Sequence, residues 1–439
     1  MLLVVLAPLP LGSGRPLAWQ AIGLAVGAML LGLLPISFAE FGAFRRDMPI
    51  PASLLGAVLL FVGLQCTSVT PTSWHHPIWQ EASQGLNRDL AGAISIDPET
   101  GRIYLLRLLS YVGIFLLALA TTRNPRRAGR AIKAVTLAGG LYAAYGLVVY
   151  WSGNATLLWF HKWTYLEDLT GTFVNHNSFA TYLGLCTLAA FACLGEGLDH
   201  LRFYGDRTDK IRIAIEFISA RWWILGLIFL LMTALVLTHS RAGLATTAAG
   251  MLVLFMAVAL APSFRRFSRA GLATVPLTIL TLAFFVSGEK TAERLIQAGH
   301  EGQERVEVYR LTQQAIGDHP ALGTGLGSFY AAFPHYRSTE VRSYFDLAHN
   351  DFLQNALELG IPASLCLFTV LLWMAALCIR GTRMRHRDAL FSALGLAATV
   401  QVGLHAMVDF SLQIPAVTGT YALLLGIAVA QSRSVRQTD

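Results

Sequence analysis

Twelve apolar stretches decide what this chain can fold into. They lie at 2–11, 19–38, 50–68, 103–121, 134–151, 177–195, 222–238, 242–261, 270–287, 359–379, 389–408 and 415–431. A helix needs about 20 apolar residues to cross a bilayer, so the pattern predicts an all-α polytopic membrane protein with about twelve transmembrane helices. Only 13% of residues are charged, against about 25% in soluble domains. Residues 2–11 are the shortest stretch. They lack a basic start and a small-residue cleavage site, and are expected to stay as a retained first span.

The net charge of +7 points to nucleic acid in a soluble protein. Here the basic residues sit in short loops between apolar stretches, so they read as topology signals and no nucleic-acid partner is expected. Alternating the spans with both termini in the cytoplasm puts 21 of the 33 Lys and Arg residues inside. The loops RNPRRAGR, SFRRFSR and RGTRMRHR carry no carboxylates and fix this orientation. The chain then divides into nine spans over 1–287, a large outer loop over 288–358, and three spans with a cytoplasmic tail over 359–439. Cys66, Cys186, Cys193, Cys366 and Cys378 form no paired or metal-ligand motif and read as packing residues.

Two outer segments are rich in aromatics. Residues 69–102 hold Trp74, His75, His76 and Trp79. A metal site there lacks a carboxylate or third histidine at ligand spacing, so an interfacial aromatic belt is favoured. Residues 152–176 lead into the sixth span, where Asn175, His176 and Asn177 cluster. Asn177 reads first as a helix cap. His176 and Asn177 are both carried as substrate-binding candidates.

The polar island from Gly302 to Gly360 is the chain's main concentration of titratable groups. It holds Arg305, Arg310, His319, His335, Arg337, Arg342 and His349. Glu304–Ile316 has apolar Val306, Val308, Leu311 and Ile316 on a helical pattern, with Arg305, Tyr309 and Gln313 at four-residue spacing on one face. Asp318-His319-Pro320 ends it. GTGLGSF follows no strand and opens no βαβ unit, so it reads as a tight turn whose amides could face an anion, not as a nucleotide site. A new helix starts at His349 or Asn350, interrupted at Gly360 and Pro362. Arg241, in the short turn THSRAG, is a further anomaly, because arginine within a span costs roughly 2.5–3.5 kcal/mol.

Arginine forks match phosphate oxygens and stay charged at physiological pH. Two of them can stabilise a departing diphosphate without a metal, and a histidine can take the proton of an attacking hydroxyl. No acidic pair for a divalent metal and no GxSxG elbow is seen. The inventory fits transfer from a diphosphate-linked donor to a hydroxyl, with no cofactor.

The order of DHPALGTGLGSF and AHNDFLQNALELG, preceded by the Arg305 helix, resembles the O-antigen ligase and polymerase family of bacterial envelope enzymes. THSRAG, TGTFVNHNSFATYLGL and SIDPETGRIYLLRLLSY are also similar. The likeness covers residues 171–360 by motif and most of the chain by topology. It implies a type-C glycosyltransferase-like architecture in the bacterial inner membrane. It also implies an undecaprenyl-diphosphate-linked glycan donor and a lipid A–core or glycan acceptor. The family's loop histidine falls on His349, its loop arginine on Arg305 and its turn arginine on Arg241. Arg310, which competes with Arg305, and Asn350, beside His349, are carried as further substrate-binding candidates, and Tyr309 replaces a tryptophan common in the family. Ligase and polymerase share these motifs, with a slight lean to ligase. A transporter of lipid-linked oligosaccharide is the rival of a different class. It is disfavoured because the predicted spans hold almost no ionisable residues, Arg107 and Asp409 falling near span ends.

Overall fold

The computed structural model describes residues 1–196, 208, 212, 215–216, 218–262, 303–385 and 388–432. It is an all-α bundle. Six helices are long and apolar enough to cross a membrane: α6 (Pro98–Thr121), α7 (Pro125–Trp151), α8 (His176–Gly195), α10 (Arg241–Leu260), α12 (Asp351–Met384) and α14 (Pro415–Ser432). Shorter apolar helices join them: α2 (Pro16–Gly32), α4 (Pro49–Gln65), α9 (Trp222–Leu237) and α13 (Ala389–His405). The protein is therefore a multi-pass membrane protein.

These ten helices fall on ten of the predicted spans. The stretch 270–287 lies outside the described residues. Residues 2–11 differ from expectation: only α1 (Leu2–Leu6) is helical, because Pro8 and Pro10 follow it and Gly12 takes a left-handed φ of +67°. The second stretch stops at Gly32, and a separate helix, α3 (Leu34–Asp47), starts with proline in its first turn, while a short helix, α5 (Ile78–Leu86), lies between α4 and α6.

Local chemistry sets the helix starts. Asp97, Asn124, Asn175, Ser240 and Asn350 each accept a backbone N–H of the first turn of α6, α7, α8, α10 and α12. Proline at the first position of α6 and α7 adds a preset φ. The cap of α8 is thus Asn175, which accepts from the amides of Asn177 and Ser178 at 2.7 and 3.3 Å. That leaves the Asn177 side chain for another task.

Helices α8 and α14 are almost wholly enclosed by their neighbours. Small residues make this possible: Gly184 of α8 faces Gln401 and Thr247, and Gly395 of α13 faces Ala428 of α14. Helix α13 packs on α10, α8, α12 and α14, while α6 packs on α14, α2 and α4.

Outside the bundle, 303–318 forms a helix (α11). Val308, Leu311 and Ala315 bury their side chains at helical spacing with Phe329, Phe333 and Leu357. Val306 does not join them and is 65% exposed, so the apolar face is narrower than the sequence pattern predicts.

Candidate active site

His349 sits in the last turn before α12, with a left-handed φ of +53°. Histidine tolerates this region better than most side chains, but it needs support. The support is visible. The Tyr309 hydroxyl donates to the His349 carbonyl at 2.7 Å, Asn350 Nδ2 donates to Met407 O at 2.9 Å, and the Asp351 amide donates to Ala406 O at 2.8 Å. The ring is wedged edge-on against Phe410 and Phe345.

Its Nδ1 lies 3.1 Å from Oδ1 of Asp409, which is wholly buried between α13 and α14. Burial pushes the Asp409 carboxyl up, but the hydrogen bond and charge of His349, with the field of His405, hold it below its ordinary value. An ionised Asp409 accepts the Nδ1 proton, so the lone pair of the neutral His349 ring lies on Nε2. Among the described residues, nothing donates to that Nε2. Such a pair has the form of a general base with its orienting carboxylate.

Arg305 is half-buried on α11, one turn before Tyr309. Burial raises the Tyr309 hydroxyl, Arg305 lowers it and Asp409 raises it, so both charges act at this one ring. Among the described residues, Arg305 has no hydrogen bond or ion pair. Arg310 is different. It is exposed, and its fork grips Glu307 through Nε and Nη2, both at 2.7 Å.

Arg241 is the exposed first residue of α10. A cation at a helix N-terminus opposes the macrodipole, and among the described residues no carboxylate offsets it. The turn that presents it is built with care. Ser240 caps α10 and donates its hydroxyl to Asn177 Oδ1 at 2.7 Å. His239, at a φ of +52°, places Nδ1 2.9 Å from Asp168 Oδ1. His176 Nδ1 donates to the Thr238 carbonyl at 2.7 Å and lies 3.5 Å from Asp168 Oδ2. Buried Lys162 donates to the Asp168 carbonyl and to Asn154 Oδ1. Asn177 and His176 therefore brace the Arg241 turn directly.

The two groups meet at α13 and α14. Thr181 of α8 hydrogen-bonds Ser411 at 3.0 Å, and Ser411 bonds buried His405 at 3.2 Å, four residues before Asp409. Arg241, Arg305 and His349 are thus gathered at one end of the bundle, although no hydrogen bond joins them to one another. Sequence reasoning missed two residues, Asp409 and Asp168. Asp409 carried a signal as a carboxylate at a span end; Asp168 carried none.

The glycine-rich turn holds a carboxyl group, but an internal one. Gly327 N and Phe329 N donate to the buried Glu358 carboxylate, and Thr324 N and Gly325 N donate to the Leu357 and Glu358 carbonyls. Gly323 and Gly360, both at positive φ, pack backbone to backbone where any Cβ would collide. The turn locks α12 at its break.

His76 meets a distant histidine, His319, at an Nε2–Nε2 distance of 3.1 Å. Its Nδ1 accepts from the Ile78 amide, so Nε2 carries the proton and donates to His319. A metal ion needs that nitrogen's lone pair. Among the described residues, no group of three or more His, Cys, Asp or Glu is placed to hold a metal ion.

No curated protein matches the chain. A family model does match, over residues 225–368, a segment that carries Arg241, Arg305 and His349. That model is described as O-antigen ligase, and its match covers about a third of the chain.

Proposed function

We propose that the protein is an inverting glycosyltransferase of the bacterial inner membrane, with both termini cytoplasmic and the His349 end of the bundle periplasmic. It moves a glycan from an undecaprenyl-diphosphate-linked donor to a hydroxyl of lipid A–core, as an O-antigen ligase. The observation that carries this reading is the His349–Asp409 pair, whose Nε2, like Arg241 and Arg305, has no hydrogen-bond or ion-pair partner among the described residues.

In this reading, Arg241 and Arg305 bind the donor diphosphate, and the N-terminus of α10 adds its own positive end. His349 Nε2 accepts the proton of the acceptor hydroxyl as that oxygen bonds to the anomeric carbon. The bond from that carbon to the diphosphate oxygen breaks on the opposite face, and the electron pair leaves with the diphosphate. Asp409 stabilises the imidazolium so formed. Charge on the departing oxygen is met by two guanidinium groups, so the step needs no divalent metal. Asn177 and His176 act through the Arg241 turn, and Asn350 through the His349 turn.

Incubating the purified protein with lipid-linked donor and two acceptors in separate reactions tests the assignment. Joined product on lipid A–core supports the ligase. Product only on a second lipid-linked repeat makes it a polymerase, and no product with either removes the transferase reading.

A further inference from the structure

A cavity of about 210 Å³ lies apart from Arg241 and Arg305, between α3, α4, α6, α12 and α14. Phe44, Leu55, Phe115, Phe368, Leu371 and Met374 are among its walls, and among the described residues Arg107 is the one charged residue that lines it. None of α8, α9, α10 or α11 contributes to it. The space exceeds the roughly 150 Å³ that admits a benzene ring in a protein core.

Arg107 lies about 14 Å along α6 from Pro98 at 1.5 Å per residue. Its Nη1 donates to the Gln413 carbonyl at 3.2 Å and its Nη2 to the Gln413 side chain at 2.5 Å, and the guanidinium rests 3.8 Å from the Tyr104 ring centroid. Among the described residues no carboxylate forms an ion pair with it. Gln413 also donates to Asp351 Oδ1 at 3.2 Å, and Asp351 follows His349 by two residues. The turn that carries Asp409 therefore separates the Arg107 mouth from the His349 ring.

Apolar walls with one guanidinium that is not ion-paired suit an anionic lipid, its chain on the walls and its phosphate on the remaining N–H groups. Length selects the lipid. From Tyr104 to Phe115 the wall advances about 16 Å, close to half of the roughly 30 Å hydrocarbon core of a bilayer. That fits an acyl chain of one leaflet, whereas an extended undecaprenyl chain is several times longer. We infer that this cavity seats an acyl chain of the acceptor, a phosphorylated and acylated glycolipid, with a phosphate at Arg107. The inference rests on the glycosyl-transfer reading and gives the acceptor a seat separate from the donor's arginines.

Photo-crosslinking tests it in the full chain. Leu371→p-benzoylphenylalanine in nanodiscs is irradiated with rough lipopolysaccharide, undecaprenyl-diphosphate-linked glycan and phosphatidylethanolamine present together, and the captured lipid is identified by mass spectrometry. Rough lipopolysaccharide is expected, about tenfold above either competitor. Leu371→Trp, which fills the cavity, is expected to raise KM for rough lipopolysaccharide about fivefold and leave donor KM unchanged. Capture of donor, of phospholipid or of nothing overturns the proposal, as does a rise in donor KM instead. Crosslinking needs no turnover, so an inactive protein that still captures rough lipopolysaccharide removes the transfer reading and keeps the site.

Discussion

Asp409 Oδ1 stands 3.1 Å from His349 Nδ1, although sixty residues and the apolar helices α12 and α13 separate them in the chain. The contact fixes which ring nitrogen faces outward. Asp409→Asn removes the charge that orients and stabilises the ring, and is expected to lower kcat roughly 10²- to 10⁴-fold, the range for losing general-base catalysis. A single-turnover assay on protein with a parental thermal midpoint checks this.

The two loop arginines should separate cleanly. Arg310 is exposed and tied to Glu307, so Arg310→Ala is expected to stay within about twofold of the parent in transfer. Arg305→Ala should lose roughly 10²-fold or more, with Arg305→Lys restoring part, because Lys supplies charge without the fork. Parallel kcat/KM measurements on the three variants decide the matter.

Asp168 reaches the site only through others. Asp168→Ala leaves His239 without its acceptor and Arg241 on a loosened turn. Donor KM should rise about tenfold, with acceptor KM little changed. Titration of each substrate separately measures the split.

The His76–His319 contact predicts acid-sensitive stability. Burial and the neighbouring histidines lower His76 from 6.5 to about 4, and burial lowers His319. The unfolded chain therefore binds more protons than the folded one between those values. The stabilisation is complete above pH 6.5 and is lost as the pH falls toward about 4. Thermal midpoints of the purified protein should fall across that window, and less steeply in His319→Gln.

The apolar spans were legible because hydrophobic runs of membrane length have one main physical outcome. The first stretch failed for a local reason: prolines at 8 and 10 and the left-handed Gly12 break it after five helical residues. Arg241 stood out as a costly cation in an apolar chain, whereas Arg305 and His349 were singled out by the family resemblance. Asp168 was not legible, and Asp409 was legible only as a carboxylate at a span end, because their meaning lies in partners 71 and 60 residues away. The glycine turn misled in part: its amides do bind a carboxylate, but that carboxylate is the chain's own Glu358. Asn175 and Asn177 show the same limit, since a shift of two residues turns a cap into a brace.

The most direct test of the mechanism is product formation by His349→Ala. The assay uses proteoliposomes with an undecaprenyl-diphosphate-linked donor, lipid A–core and excess chelator. The parent protein is expected to form joined, anomerically inverted product in the chelator, and His349→Ala to form at least about 10²-fold less. Parental rates from His349→Ala, or a parent silenced by the chelator, would contradict the account.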